Sequence, residues 1–354
     1  MTQSKNINVN FARIPTTMRA WKVMNQGPID SDPSPLQLVT TDVLPPHTGE
    51  ILVRVLTCGV CRTDLHVTEG DLLEHKKHVT PGHEIIGEVC ACGPETGRFQ
   101  LGQRVGIPWL RHTCGKCNFC RSGHENLCPN SKYTGWDHDG GYAEYTTVDE
   151  AFAYKIPDSF ESTTAAPLLC AGIIGYHAYV KANVPAGGTL GLYGFGGSAH
   201  IIAELALKQG IKVHVLTRGE NAQKLALKLG ASSAAGAYDQ PPEQLDSAII
   251  FAPAGAIIPK ALEGLKSGGT LALAGIHMTD VPPLNYQQHL FHEKMITSVE
   301  SNTRKNGEEF LRLASRLKIH PETRQYSLKQ AREALRYLAI GDVKGAGVLK
   351  IAAD

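Results

Sequence analysis

Between residues 19 and 56, apolar and polar side chains alternate in RAWKVM, LQLVTTDV and EILVRVL, with Pro and Gly breaking the runs. A period of two sends one face of each run to a core and the other to water, which predicts short antiparallel strands. HEIIGEVCAC, GQRVGIPWL, GYAEYTTV and AFAYKIP continue the pattern, so the first part of the chain reads as mostly β and loop-rich. The period changes near residue 160. FESTTAAPLLCAGIIGYHAYVKANV reads as helical segments. TLGLYGFGGSAHIIAELALKQGIKVHVLTRGENAQKLALKLGA then gives strand, glycine turn, helix, strand and helix. DSAIIFAPA and GTLALAGI are two further buried strands, separated by a helix, PKALEGLKSG. Strands alternating with helices predict a parallel sheet covered on both faces. The tail is mixed, with helical EEFLRLASRL and LKQAREALRYLAIGD and a last strand, AGVLKI. The fold class is therefore α/β: a mostly-β unit joined to a doubly wound parallel sheet. The expected units are residues 1–165 with 296–354, and residues 166–295.

Size and composition agree with two units. A chain of 354 residues, 42% hydrophobic, is too long for one ordinary core and needs no covalent staples. The net charge of +1 comes without a basic stripe or an acidic tail, which argues against nucleic acid or an anionic membrane as the main partner. No run approaches the ~20 apolar residues of a membrane span, and MTQSKNINVNFARIPTTMRAW carries no signal-peptide pattern. These features predict a cytoplasmic protein. Thiols stay reduced there, and nine cysteines is an odd number, so metal binding is favoured over a disulfide framework.

CGKCNFCRSGHENLC supplies the first constellation. Cys114, Cys117, Cys120 and Cys128 follow the spacing C-x2-C-x2-C-x7-C. Close thiolate pairs in tight turns, closed by a fourth from across the loop, suit tetrahedral Zn²⁺ and leave no position open for chemistry. These four are read as a structural zinc site in the loop 114–128; an iron–sulfur cluster is the other use of four cysteines.

The second constellation is GLYGFGGSAH, placed between strand and helix. Gly194, Gly196 and Ala199 fit G-x-G-x-x-A, with Gly197 beside them. The first glycine permits the turn, the second lets backbone approach a pyrophosphate, and the small third residue lets helix pack on strand. The helix N-terminus offers free N–H groups to phosphate. This is a dinucleotide site of Rossmann type. The second strand, KVHVL, ends at Thr217, where an NAD enzyme usually places a carboxylate for the ribose hydroxyls. Thr217 is neutral and Arg218 follows, a pairing that favours a 2′-phosphate. NADP(H) is thus expected, with NAD(H) as the alternative; Lys224 either adds positive field or faces water.

CGVCRTDLH, TPGHEIIGEV and APLLCAGI hold a third set of cysteine and histidine residues too far apart for spacing to join, and Cys58 and Cys61 are equivalent on spacing alone. Together with the four-cysteine loop, DGGYAEY and GFGGSA, these pieces resemble the zinc-containing medium-chain alcohol dehydrogenases, most closely the yeast-type, bacterial and cinnamyl-type branch. The resemblance spans nearly the whole chain in order. It implies that the mostly-β unit is GroES-like and catalytic. It further implies a catalytic zinc on Cys61, His83 and Cys170, with Glu84 beside it and Asp64 accepting from the far nitrogen of His83. Thr63 and His66 would relay a proton. Arg62 and Arg304 match positions that contact the pyrophosphate. Trp109 and Trp136 match the substrate pocket, which suits apolar primary alcohols and their aldehydes; His138 is unplaced. Ile174 departs from the pattern, because relatives often carry Thr beside the nicotinamide. Cys58, Cys90 and Cys92 read as small fillers.

The implied function is hydride transfer between a primary alcohol or aldehyde and a nicotinamide cofactor, by a homodimer or homotetramer with two zincs per chain. The competing reading is a zinc-binding interaction or thiol-sensing module built on residues 114–128, without catalysis. It predicts no second metal group and no nucleotide site.

Overall fold

The computed structural model describes residues 14–341 and 345–352. The N-terminal stretch read for a leader lies largely outside the described residues. Two sheets organise the rest. The first has seven strands. Glu50–Val60 is its central strand, and it pairs antiparallel with Ile85–Cys92, Tyr145–Asp149 and Ala346–Lys350. Arg104–Ile107 and Tyr154–Lys155 extend one side, and Thr323–Ser327 closes the other, parallel to Ala346–Lys350. All but one residue of the buried pattern in Leu52–Val60 faces protein on both sides, which is why the alternation seen at its start fades into LTCGV. Thr17–Val23 and Leu36–Asp42 form a separate antiparallel pair.

The second sheet has six parallel strands in the spatial order Ser233–Ala235, Lys212–Leu216, Thr189–Tyr193, Leu245–Ile250, Leu265–Leu273, Met295–Ser298. Taken in chain order this is 3-2-1-4-5-6, the doubly wound arrangement whose switch point lies outside the first strand. Ala171–Ala182 and Gly197–Lys208 pack together over it.

Two differences from the sequence reading concern boundaries. The run PKALEGLKSG is helical only in Ile258–Glu263; its second half opens the strand Leu265–Leu273, because a shift in pairing between Leu245 and Ser247 absorbs the extra residues. The parallel sheet also keeps its sixth strand, Met295–Ser298, across the expected boundary at 295/296. That strand lies on the sheet edge with most of its side chains exposed, so it carries no strong apolar pattern.

Candidate active site

Cys61 ends the central strand region and caps the helix Arg62–Glu69. Cys170 breaks the chain between the turn Ala166–Leu169 and the helix Ala171–Ala182, which it caps. Both sulfurs thus sit at helix N-termini, where the dipole favours a thiolate. His83 is brought between them by TPGHE. Gly82 there has φ +100°, and a Cβ on it would lie 2.5 Å from Tyr142 Cδ1, so only glycine fits. The DGGY run braces this turn from outside. Gly140, Gly141 and Tyr142 donate backbone bonds to Thr80, Gly82 and Pro81, and Asp139 Oδ1 accepts from the Thr80 N–H at 2.9 Å.

The result is a cluster in which ligand atoms of Cys61, His83, Glu84 and Cys170 all lie within 4.8 Å of one another. Cys61 Sγ and Cys170 Sγ are 3.8 Å apart. Two sulfurs each about 2.3 Å from a tetrahedral zinc stand about 3.8 Å apart. His83 is 1% exposed, and its Nε2 is buried with no hydrogen-bond partner. A buried nitrogen left unpaired is costly unless something occupies its lone pair. The donor set of soft sulfur and imidazole therefore fits a zinc ion.

Asp64 holds this cluster from beneath. His83 Nδ1 donates to Asp64 Oδ1 at 2.8 Å, and the Gly82 N–H donates to the same oxygen at 3.1 Å. The Cys61 N–H and the Tyr142 hydroxyl donate to Oδ2 at 3.0 and 3.2 Å. Nδ1 is thereby committed, which leaves Nε2 facing the sulfurs. Burial alone would lower the His83 pKa, but the Asp64 carboxylate and the Cys61 thiolate outweigh it and raise it well above the ordinary range. The Cys61 and Cys170 sulfurs lie within hydrogen-bond reach of each other. Donation from Cys170 holds Cys61 well below the usual thiol range, and the same bond with burial pushes Cys170 up. Burial, then the Cys61 thiolate, pushes Glu84 well above the usual carboxylate range. Gly59 makes the room for Glu84, since a Cβ there would fall 1.7 Å from Glu84 Oε2. Cys58, indistinguishable from Cys61 in sequence, points elsewhere: it is fully buried in the β-unit core against Tyr142 and the Gly141 backbone.

Thr63 and His66 lie three residues apart on one face of the helix Arg62–Glu69. Thr63 Oγ1 is 3.8 Å from Cys61 Sγ, and His66 Nδ1 is 2.6 Å from Asp71 Oδ2. Asp71 is not among the residues the sequence singles out: it lies past the end of the helix, where no helical spacing pairs it with His66. Trp109 meets His83 edge-on, with centroids 5.0 Å apart, and stacks on Tyr133 and Trp136 at 4.8 and 6.0 Å. Trp109 and Trp136 are half-buried, so they form a wall rather than core. His138 faces another cavity of about 440 Å³ with Arg111 and Asp139.

The glycine turn follows the first parallel strand. Gly194 has φ +86°, and a Cβ there would lie 2.9 Å from the Ala252 nitrogen. Gly196 caps the helix Gly197–Lys208, no side chain satisfies the first N–H groups, and the space around Gly196 is open. Ala199 is fully buried where helix meets strand. These features fit a pyrophosphate. A Cβ on Gly197 would touch Ala171, the residue after Cys170, at 3.8 Å, so the glycine turn abuts the sulfur cluster. Thr217 is buried at the end of its strand, and Arg218 is exposed with no partner among the described residues. Ile174 stands half-buried one turn beyond Cys170.

The structure also places the three candidate cations. The Nε and Nη2 of Arg304 engage Glu125 at 3.0 and 2.7 Å, and its guanidinium lies 4.6 Å over Phe152. That charge is paired with the end of the four-cysteine loop. Lys224 pairs with Glu220 one turn away, both exposed. Arg62 is exposed and donates to the Leu338 carbonyl at 3.1 Å.

Ligand atoms of Cys114, Cys117, Cys120 and Cys128 also lie within 4.8 Å of one another. Cys117 and Cys120 sulfurs are 3.5 Å apart, and backbone N–H groups of Cys114 and Cys117 donate to Cys128 and Cys114 sulfurs, each at 3.4 Å. Four sulfurs with converging N–H donors fit a second, closed zinc site. Asn126 and Glu125 tie the loop to residues 300 and 304, where the chain leaves the parallel sheet.

Comparison with known proteins gives three findings. Residues 47–158 match the family model described as alcohol dehydrogenase GroES-like domain. The chain is 56% identical over 340 residues to a probable alcohol dehydrogenase AdhA of Mycobacterium tuberculosis, covering 95% of this chain and 98% of that one. Among solved structures it resembles the CAD of Helicobacter pylori complexed with NADP(H), with TM-score 0.84, 24% identity and coverage of 95% and 99%. It also resembles the acetophenone reductase of Geotrichum candidum in complex with NAD, with TM-score 0.83, 25% identity and coverage of 96% and 98%.

Proposed function

Because the chain belongs to the zinc-containing medium-chain alcohol dehydrogenases, we propose that it moves a hydride between a primary alcohol or its aldehyde and NADP(H), at the cluster of Cys61, His83 and Cys170. The observation that carries this reading is the convergence of those three ligand atoms next to the glycine turn, with His83 Nε2 unpaired. When bound there, a zinc makes a substrate hydroxyl more acidic and polarises a carbonyl. The chain's own residues do the rest. Asp64 fixes the imidazole of His83. Thr63 is the first acceptor of the substrate proton, and His66 carries it outward, its ring held by Asp71. Glu84 lies close enough to compete for the metal and is its exchangeable neighbour. Trp109, Trp136 and Tyr133 line an apolar wall suited to hydrophobic or aromatic substrates. Cys114, Cys117, Cys120 and Cys128 hold the structural zinc, which makes two per chain. Gly194, Gly196, Gly197 and Ala199 seat the pyrophosphate, and the exposed Arg62 is the cation proposed to meet it.

Initial rates across aliphatic, aromatic and allylic alcohols and aldehydes, with each nicotinamide cofactor, test the proposal. Turnover of a primary alcohol or aldehyde is expected; no turnover with any of them would remove it. The NADP(H) preference rests on Thr217 and Arg218. Thr217→Asp places a carboxylate against a 2′-phosphate and is expected to shift the kcat/KM ratio about tenfold or more toward NADH. An unmoved ratio would mean that Thr217 does not face the ribose.

We also propose a homodimer or homotetramer. Phe291, Met295 and Ile296 are exposed by 49%, 53% and 37% along the open edge of the parallel sheet, an apolar surface that a second copy would cover. Light scattering is expected to give twice or four times the chain mass, and a monomer would contradict it. Among the described residues no helix is long and apolar enough to cross a membrane. We propose a cytoplasmic home because the two cysteine clusters need reduced thiols to hold a metal. Cell fractionation that finds the protein in an oxidising compartment would overturn this.

A further inference from the structure

His66 and His277 come from different units. His66 lies on the helix Arg62–Glu69 of the β unit, and His277 lies in the loop after the parallel strand Leu265–Leu273. Their ring centroids are 4.9 Å apart and the rings cross at 63°, an edge-to-face contact. Asp71 Oδ2 holds His66 Nδ1 at 2.6 Å from another side. One hydrogen bond fixes where a nitrogen sits but leaves the ring free to swing about that bond, since the terminal torsion of His is broad. A second contact on the ring removes that freedom. His277 adopts φ +52°, a left-handed conformation uncommon for residues other than Gly. Its side chain is otherwise exposed, so burial of apolar surface does not explain where it sits.

We infer that His277 is a positioning residue for the proton exit: its ring buttresses His66 from the other unit, so the nucleotide-binding unit itself sets the orientation of the imidazole. This rests on the proposed role of His66. It gives the relay a built-in dependence on how the two units sit together. Proton transfer needs the accepting nitrogen aligned with its donor, so a loosely held His66 spends fewer of its orientations in line.

A double-mutant cycle on the holoenzyme tests this, read as the single-turnover rate of primary alcohol oxidation at saturating cofactor. His277→Ala is expected to slow that rate about three- to tenfold with alcohol KM unchanged. His277→Phe keeps a flat ring at the same backbone angle and is expected to return to within about twofold of the parent. In a His66→Gln background, His277→Ala is expected to cost nothing further, because the two act through one group. Equal losses in both backgrounds, or a Phe variant no better than Ala, would overturn the inference while leaving the relay intact. A His66→Gln enzyme as fast as the parent would remove the relay reading, and this inference with it.

Discussion

Cys170→Ser is expected to lower kcat/KM for alcohol oxidation by about a thousandfold or more while leaving the fold intact. The substitution is nearly isosteric, but a serine hydroxyl stays protonated where a thiolate would bind, and it is a poor ligand for zinc. Cys170 stands 3.8 Å from Cys61 and caps the helix Ala171–Ala182, and among the described residues no further cysteine belongs to its ligand cluster. Melting temperature and circular dichroism close to the parent's, together with lost turnover, are the expected pair of results. A serine variant with parental kinetics would show that Cys170 holds nothing the reaction needs.

The second large effect is expected at Asp64, which never meets the substrate. Its two oxygens accept from His83 Nδ1, the Cys61 and Gly82 N–H groups and the Tyr142 hydroxyl, and the residue is 1% exposed. Asp64→Asn replaces one of those acceptors with a donor, so two buried donors are left facing an NH2 group. Metal affinity or activity is expected to fall about 10- to 100-fold, and stability by about 1–3 kcal/mol. Competition with a chromophoric chelator separates the two effects, because a purely structural role would lower the melting temperature without weakening the folded protein's hold on zinc. Parental affinity in the Asn variant would mean that the carboxylate does not orient His83.

Much of this was legible in the sequence, for reasons that differ from element to element. KVHVL reads as a strand with the bounds that the structure gives it, because four of its five residues are buried in the parallel sheet and the polar one among them, His214, is paired with Ser233 and Glu243. The four-cysteine loop was legible because its ligands are local. The join between Cys61, His83 and Cys170 was not, since spacing carries no information across 109 residues; only the family resemblance supplied it. Cys58 separates from Cys61 only in the fold, where one faces Tyr142 in the core and the other caps a helix. The pairing of Arg304 with Glu125 was not legible, because the two lie 179 residues apart. His277 carried no sequence signal: its one defining contact, with His66, is made between the two units. The strands Thr323–Ser327 and Met295–Ser298 sit on sheet edges, are mostly exposed and lack a decisive period.

Metal content measured on purified protein tests the central claim most directly. The parent is expected to hold two zinc ions per chain, and Cys170→Ser one, with the four-cysteine loop still loaded and turnover gone. A Cys170→Ser protein that keeps both ions, or a fully active parent with a single ion per chain, would contradict the account.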